Sequence, residues 1–139
     1  NLAQISKELR DISEILGREN KTGFGKFKFD DGGIYDGEVK NNDLHGKGTY
    51  EYPEGHKYSG DYIMGTMCGK GVYRFKSGKI YTGMFKDDVF EGEGTMTHKD
   101  GTVYRGKFKK GQKHGKGTIS NRKGKIKKVE YHKGELIEN

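Results

Sequence analysis

Glycine and tyrosine return every 23 residues along this chain, with no insertion to break the count. Tyr35, Tyr58, Tyr81 and Tyr104 form one series, followed two residues later by Gly37, Gly60, Gly83 and Gly106. Gly23, Gly46, Gly69, Gly92 and Gly115 form a second, each with a further glycine two residues on, and Gly32, Gly55, Gly78, Gly101 and Gly124 form a third. A fixed period of this length marks a chain built by stacking one supersecondary unit on copies of itself, because no single unit can bury its apolar side alone.

The unit reads as a β-hairpin. Gly48-Thr49-Tyr50-Glu51-Tyr52 and Tyr58-Ser59-Gly60-Asp61-Tyr62 have the period-2 alternation of half-buried strands, and Pro53-Glu54-Gly55 lie between them. Parity decides the turn. A three-residue loop, with Pro53 opening a type I turn and Gly55 as the left-handed bulge, sets Tyr52 opposite His56 and Tyr50 opposite Tyr58. It also sets Gly48 opposite Gly60 and Gly46 opposite Tyr62, with every ring on one face. A two-residue loop would split the rings between faces, since a one-residue slip inverts a strand. The same register groups Phe27 with Tyr35 and Val39, Tyr73 with Tyr81 and Phe85, and Met96 with Tyr104 and Phe108. Lys47, Thr49, Glu51, Ser59 and Asp61 fall on the opposite, solvated face. The glycine pairs leave room for rings to lie flat over the backbone.

The predicted fold is mainly β: an extended antiparallel sheet of five stacked hairpins over residues 23–139, with hairpins at about 23–39, 46–62, 69–85, 92–108 and 115–131. The fifth is atypical. Lys127 stands where the tyrosine should be, Val129 where the glycine should be and Asn121 where Tyr52 and Phe75 would place a ring, so it reads as a polar cap. Leu, Ile, Val and Phe together make under a fifth of the chain, a composition usually associated with disorder in charged sequences. Nine Tyr and seven Phe supply the missing core instead.

The spaced Tyr58-x-Gly60, Gly69-x-Gly71 and Gly78 resemble the MORN (membrane occupation and recognition nexus) repeat. The likeness covers residues 23 to about 131, and its specificity comes from recurrence in register. It implies a rod-like or gently curved antiparallel sheet with protein-binding, cytoskeletal or membrane-organising roles, sometimes self-associating. It does not imply an enzyme.

Residues 1–17 differ in character. Leu2, Ile5, Leu9, Ile12 and Leu16 are spaced 3, 4, 3, 4 along one stripe, and Gly17 is a terminator, so an amphipathic helix is predicted, with 18–22 as linker. Two heptads are too short to persist alone. The stripe is expected to dock, either on the hairpins as an internal cap or on a second chain.

The sites of chemistry thin out quickly. His45, His98, His114 and Cys68 sit at loop positions about 9.5 Å apart from repeat to repeat, too far for one metal ion. No phosphate-binding loop follows the glycines, and no nucleophile set has a recognisable signature. No enzyme activity, cofactor or metal is therefore expected. Cys68 alone rules out an internal disulfide and accords with a reducing compartment. No run is apolar enough to cross a bilayer and no secretory leader is recognisable, so a cytoplasmic place, in cytoskeletal or membrane-associated assembly, is expected.

Two surfaces remain. The aromatic face offers Tyr50, Tyr58, Tyr62, Tyr73, Tyr81, Phe85, Tyr104 and Phe108 as anchors for a helical or extended segment of another protein. The alternative is charge. The chain carries a net +7, and Arg105 to Lys133 hold 12 basic residues against Glu130 alone. Lys109, Lys110, Lys113, Lys116, Arg122, Lys123, Lys125, Lys127 and Lys128 are the candidates for anionic phospholipid, phosphoinositide in particular. Read without function, the same lysines keep the repeats soluble and block edge pairing. Nucleic acid is disfavoured, because the rings belong to the buried register. Self-association through the N-terminal helix or the last repeat stays open.

Overall fold

A computed structural model of the protein describes residues 22–138. These form eleven strands: β1 (Gly23–Lys28), β2 (Ile34–Lys40), β3 (Asp43–Glu51), β4 (Lys57–Ile63), β5 (Thr66–Arg74), β6 (Ile80–Lys86), β7 (Val89–Thr97), β8 (Val103–Lys109), β9 (Gln112–Ser120), β10 (Ile126–His132) and β11 (Glu135–Glu138). They make one antiparallel sheet whose spatial order is the chain order. The helix expected over residues 1–17, and most of the linker at 18–22, lie outside the described residues. No helix occurs among residues 22–138.

Two kinds of turn alternate. Within each expected hairpin the loop is three residues long: the Tyr52 amide donates to the His56 carbonyl at 2.8 Å and the Gly55 amide to the Tyr52 carbonyl at 3.0 Å, with Gly55 at φ 105°. This is the bulged turn that parity required, and Tyr50 pairs with Tyr58, Gly48 with Gly60 and Gly46 with Tyr62. Between hairpins lie two-residue turns in which both central residues have positive φ, such as Asp87 at 49° and Asp88 at 68°. That primed geometry matches the right-handed twist of the strands it joins.

The sheet does not end at Tyr131. A last two-residue turn returns the chain as β11, which pairs with β10 through Tyr131 and Leu136. The terminal edge is therefore a strand that alternation over four residues was too short to announce.

The core lies on one face. Tyr35, Tyr50, Tyr58, Tyr62, Tyr81 and Tyr104 are fully buried, packed with Phe85, Phe108, Leu44 and Met67. The opposite face carries the polar residues the alternation assigned to it, with exposed ion pairs at Lys47–Asp61 (3.2 Å) and Lys57–Glu51 (3.6 Å). Exposed pairs of this kind contribute little, about 0–1 kcal/mol.

Candidate interaction face

Each repeat tyrosine lies over two glycines. A methyl group on Gly94 would come within 2.5 Å of the Tyr81 ring, and one on Gly83 within 2.8 Å of its hydroxyl. Gly83 belongs to the strand of Tyr81 itself, and Gly94 is its partner on β7. Tyr58 covers Gly60 and Gly71 in the same way, Tyr35 covers Gly37 and Gly48, and Tyr104 covers Gly106 and Gly117. The ring thus spans the seam between successive hairpins.

Its hydroxyl is tied down three residues on. Tyr35 donates to the Glu38 carbonyl (2.6 Å), Tyr58 to Asp61 (2.9 Å), Tyr81 to Met84 (2.7 Å) and Tyr104 to Lys107 (3.2 Å). Burial pushes the Tyr81 phenol up to about 12 despite that bond, so the ring stays neutral and apolar.

Above this layer a cleft of about 360 Å³ opens over β5 to β7, walled by Tyr52, Tyr73, Phe75 and Phe90, with Met67 and Phe85 beneath. Phe90 stacks on Tyr81 (centroids 4.0 Å apart), and Phe75 lies 4.9 Å from Tyr73 and 6.2 Å from Phe90. Tyr73, Phe75 and Phe90 are only partly buried and so present ring surface outward.

The anchors expected from sequence divide accordingly. Tyr50, Tyr58, Tyr62, Tyr81, Phe85, Tyr104 and Phe108 are each no more than 3% exposed, so their surface is spent inside the sheet's own core. Tyr73 is the member of the set left accessible, and Phe85 forms part of the cleft floor. Phe75 and Phe90 were missed, although Phe75 falls in the repeat column of Phe29 and Tyr52, and Phe90 in that of Leu44 and Met67.

Of the two acidic residues on the cleft, Glu54 is exposed and Asp88 is partly buried. The Asp88 Oδ1 accepts the Met67 amide at 2.6 Å, while its Oδ2 is buried with no hydrogen-bond partner among the described residues. Burial raises this carboxyl from 3.8 to about 6, against the lowering effect of the Met67 amide. The hydroxyls of Tyr50 and Tyr62, on the same face, are likewise buried without a hydrogen-bond partner among the described residues. In the repeat column that holds Asn42, Gly65, Gly111 and Gly134, Asp88 is the one ionisable residue, a signal that aligning the repeats makes visible.

The basic residues do not share one surface. Lys109 and Lys110 sit at the β8–β9 turn, and Arg122, Lys123 and Lys125 at the loop joining β9 to β10, with nine residues of β9 between, about 30 Å. Lys116 pairs with Glu130, and Lys128 with Thr118, on the polar face, whereas Lys127 pairs with Ile119 on the aromatic one. Lys113 also lies on the aromatic face, its ammonium 5.1 Å from the Tyr104 ring and 5.2 Å from that of Tyr131. Burial first, then Lys79, lowers its pKa. Arg122 packs over Gly101 as Lys76 packs over Gly55 and Lys99 over Gly78, so part of the cluster covers the preceding loop.

Among the described residues no three His, Cys, Asp or Glu side chains gather as a metal site. No curated protein matches the chain. The family model of the MORN repeat matches residues 18–34, 35–57, 58–80, 81–103 and 104–125. In that phase each unit from 35 onward holds a tyrosine together with both glycines it covers, so the matched unit is the packing unit. Five consecutive matches over most of its length place the chain in the MORN repeat family, a non-catalytic family of protein- and membrane-interaction repeats.

Proposed function

We propose that the chain is a scaffold that receives a helical or extended segment of another protein on its aromatic face, at the cleft over β5 to β7, within a cytoplasmic cytoskeletal or membrane-associated assembly. The supporting observation is the cleft itself. Partly exposed Tyr73, Phe75 and Phe90 stand on a floor of fully buried rings, so the surface is both apolar and held in place. Aromatic side chains anchored in this way dominate contact energy at interfaces. A photo-crosslinking residue replacing Phe75 in the full chain is expected to join the partner, and one replacing Thr82 on the polar face is not. Crosslinks from Thr82 alone would sink this reading.

A second reading is favoured by the local excess of basic charge. Lys123, Lys125, Lys127 and Lys128 are all exposed at or beside the β9–β10 loop, Lys127 and Lys128 on opposite faces, and those that reach an anionic, phosphoinositide-bearing surface each add about 1 kcal/mol before screening. Sedimentation with such vesicles should fall when these four are changed to Glu, and unchanged sedimentation would dismiss it. Self-association through β11, the exposed edge strand, would appear as a doubled molar mass in light scattering.

A further inference from the structure

A purely apolar segment leaves part of the cleft unanswered. Asp88 lines the cleft and carries a buried carboxylate oxygen that no donor among the described residues meets, and buried acceptors are normally satisfied. Glu54 stands on the same cleft, so the local charge is negative in a chain whose net charge is +7. Two cations on this face are held elsewhere, Lys113 over Tyr104 and Tyr131 and Lys79 over Phe75. Neither ion pair among the described residues involves Asp88. Among the described residues, the other groups that interact with it electrostatically, Tyr58, Tyr62, Cys68 and Asp87, bring no positive charge.

Around this oxygen stand ring faces. Tyr52, Tyr73, Phe75 and Phe90 wall the same cleft, and ring faces attract cations through their quadrupoles. A carboxylate with aromatic walls is the chemistry that takes an ammonium or guanidinium group on an apolar stem. The chain performs a version of this itself: Lys79 lies 4.5 Å over the Phe75 ring.

We propose, resting on the reading of the cleft as the partner site, that its occupant is a basic amphipathic segment of a partner protein, with one Lys or Arg side chain entering between the rings to pair with Asp88. The apolar stripe of that segment lies along Tyr73, Phe75 and Phe90, and the cation fixes its register. Because the whole chain is positive, long-range repulsion opposes rather than mimics this preference, so selectivity for a cation reports the local site.

The test uses the full chain and synthetic amphipathic peptides of about 16 residues, identical but for one central residue, Lys or Gln, followed by fluorescence anisotropy. The Lys peptide is expected to bind about tenfold more tightly, the size of one charge-assisted hydrogen bond. Asp88→Asn should bring the Lys peptide to within about twofold of the Gln peptide while leaving the Gln peptide unchanged. Asn42 occupies the equivalent turn position at φ 67°, so the substitution suits the backbone, and a thermal melt no lower than that of the unaltered chain verifies it. Asp61→Asn, on the polar face, should leave the preference intact. Equal binding of the two peptides by the unaltered chain, or a Lys preference that survives Asp88→Asn, overturns the inference. The underlying reading is judged separately by Phe75→Ala, which should weaken both peptides equally. If neither peptide binds, or Phe75→Ala changes nothing, the partner site itself is misplaced and the inference goes with it.

Discussion

The first four repeats and the fifth share a period, turns and a register, yet they are packed by different means. At the seam of β6 and β7, Tyr81 lies across Gly83 and Gly94 with its hydroxyl bonded to the Met84 carbonyl. In β10 the equivalent residues are Lys127 and Val129, no ring crosses the seam, and Ile126 is 67% exposed while Val129 is buried. The ladder continues inside the hairpin, where Lys127 pairs with Ile119 and Val129 with Gly117, and crosses the seam to β11 from Glu130 to His132. Backbone geometry in this molecule is thus set by turns and pairing, while the energy of each seam depends on whether a ring has somewhere to lie.

The widest gap between the two regions should appear on deleting the ring. Tyr81→Ala removes a fully buried side chain in contact with Phe85, Phe90 and Phe108, and urea unfolding should show a loss of about 3–5 kcal/mol. A loss below about 1 kcal/mol would place the seam's stability elsewhere.

Glycine substitutions sharpen the contrast by separating crowding from conformation. Gly94→Ala meets the Tyr81 ring within 2.5 Å at an extended backbone and should cost about 1–3 kcal/mol, relieved in part by Tyr81→Leu. Gly115→Ala meets nothing within 4 Å but sits at φ 81°, so it should cost about 1 kcal/mol with no dependence on any ring. Double-mutant cycles with Tyr81 and Tyr104 respectively distinguish the two cases.

Asp88 introduces a pH dependence that the fifth repeat lacks, since Gly134 occupies the equivalent place. Its carboxyl titrates near 6 when folded, against 3.8 in the free side chain, so between those values the folded chain holds the proton more tightly. Its contribution to stability therefore falls as pH rises from about 4 to 6, and is restored on acidification. Asp88→Asn should be more stable than the unaltered chain by about 1–2 kcal/mol at pH 7, with the difference vanishing near pH 4. A constant difference across that range would contradict the burial of this charge.

The smallest effect is expected in the fifth repeat itself. Lys127→Ala removes an exposed side chain with no seam beneath it and should change stability by less than about 0.5 kcal/mol.

Much of the fold was legible because strands and turns speak locally. Pro53 and Gly55 declared the bulged loop, alternation then fixed the pairing, and every hairpin follows from the period. The seams were harder to read. The glycine gaps were visible across one hairpin, Gly48 opposite Gly60, but Gly48 also faces Gly37 of the preceding strand, and it is Tyr35 that fills the space. Only three-dimensional pairing brings glycines 11 apart under one ring. The primed turns were hidden for a related reason, because Met64-Gly65 and Lys110-Gly111 look unremarkable until positive φ is seen at both residues.

At the candidate site, residue type alone did not tell which rings stay exposed. Repeat tyrosines are the largest side chains on the face, yet they lie beneath it. Exposed ring surface belongs to Tyr73, Phe75 and Phe90, which are only partly buried over that layer.

Ring position over the seam is read most directly by the proton chemical shifts of the strand glycines. A ring lying flat on Gly94 must move its α-proton resonances strongly upfield, and Tyr81→Leu must return them to ordinary strand values, with Gly124, which has no side chain within 4 Å, unmoved throughout. Ordinary shifts for Gly94 in the unaltered chain would mean that Tyr81 lies elsewhere, and the seams would need another explanation.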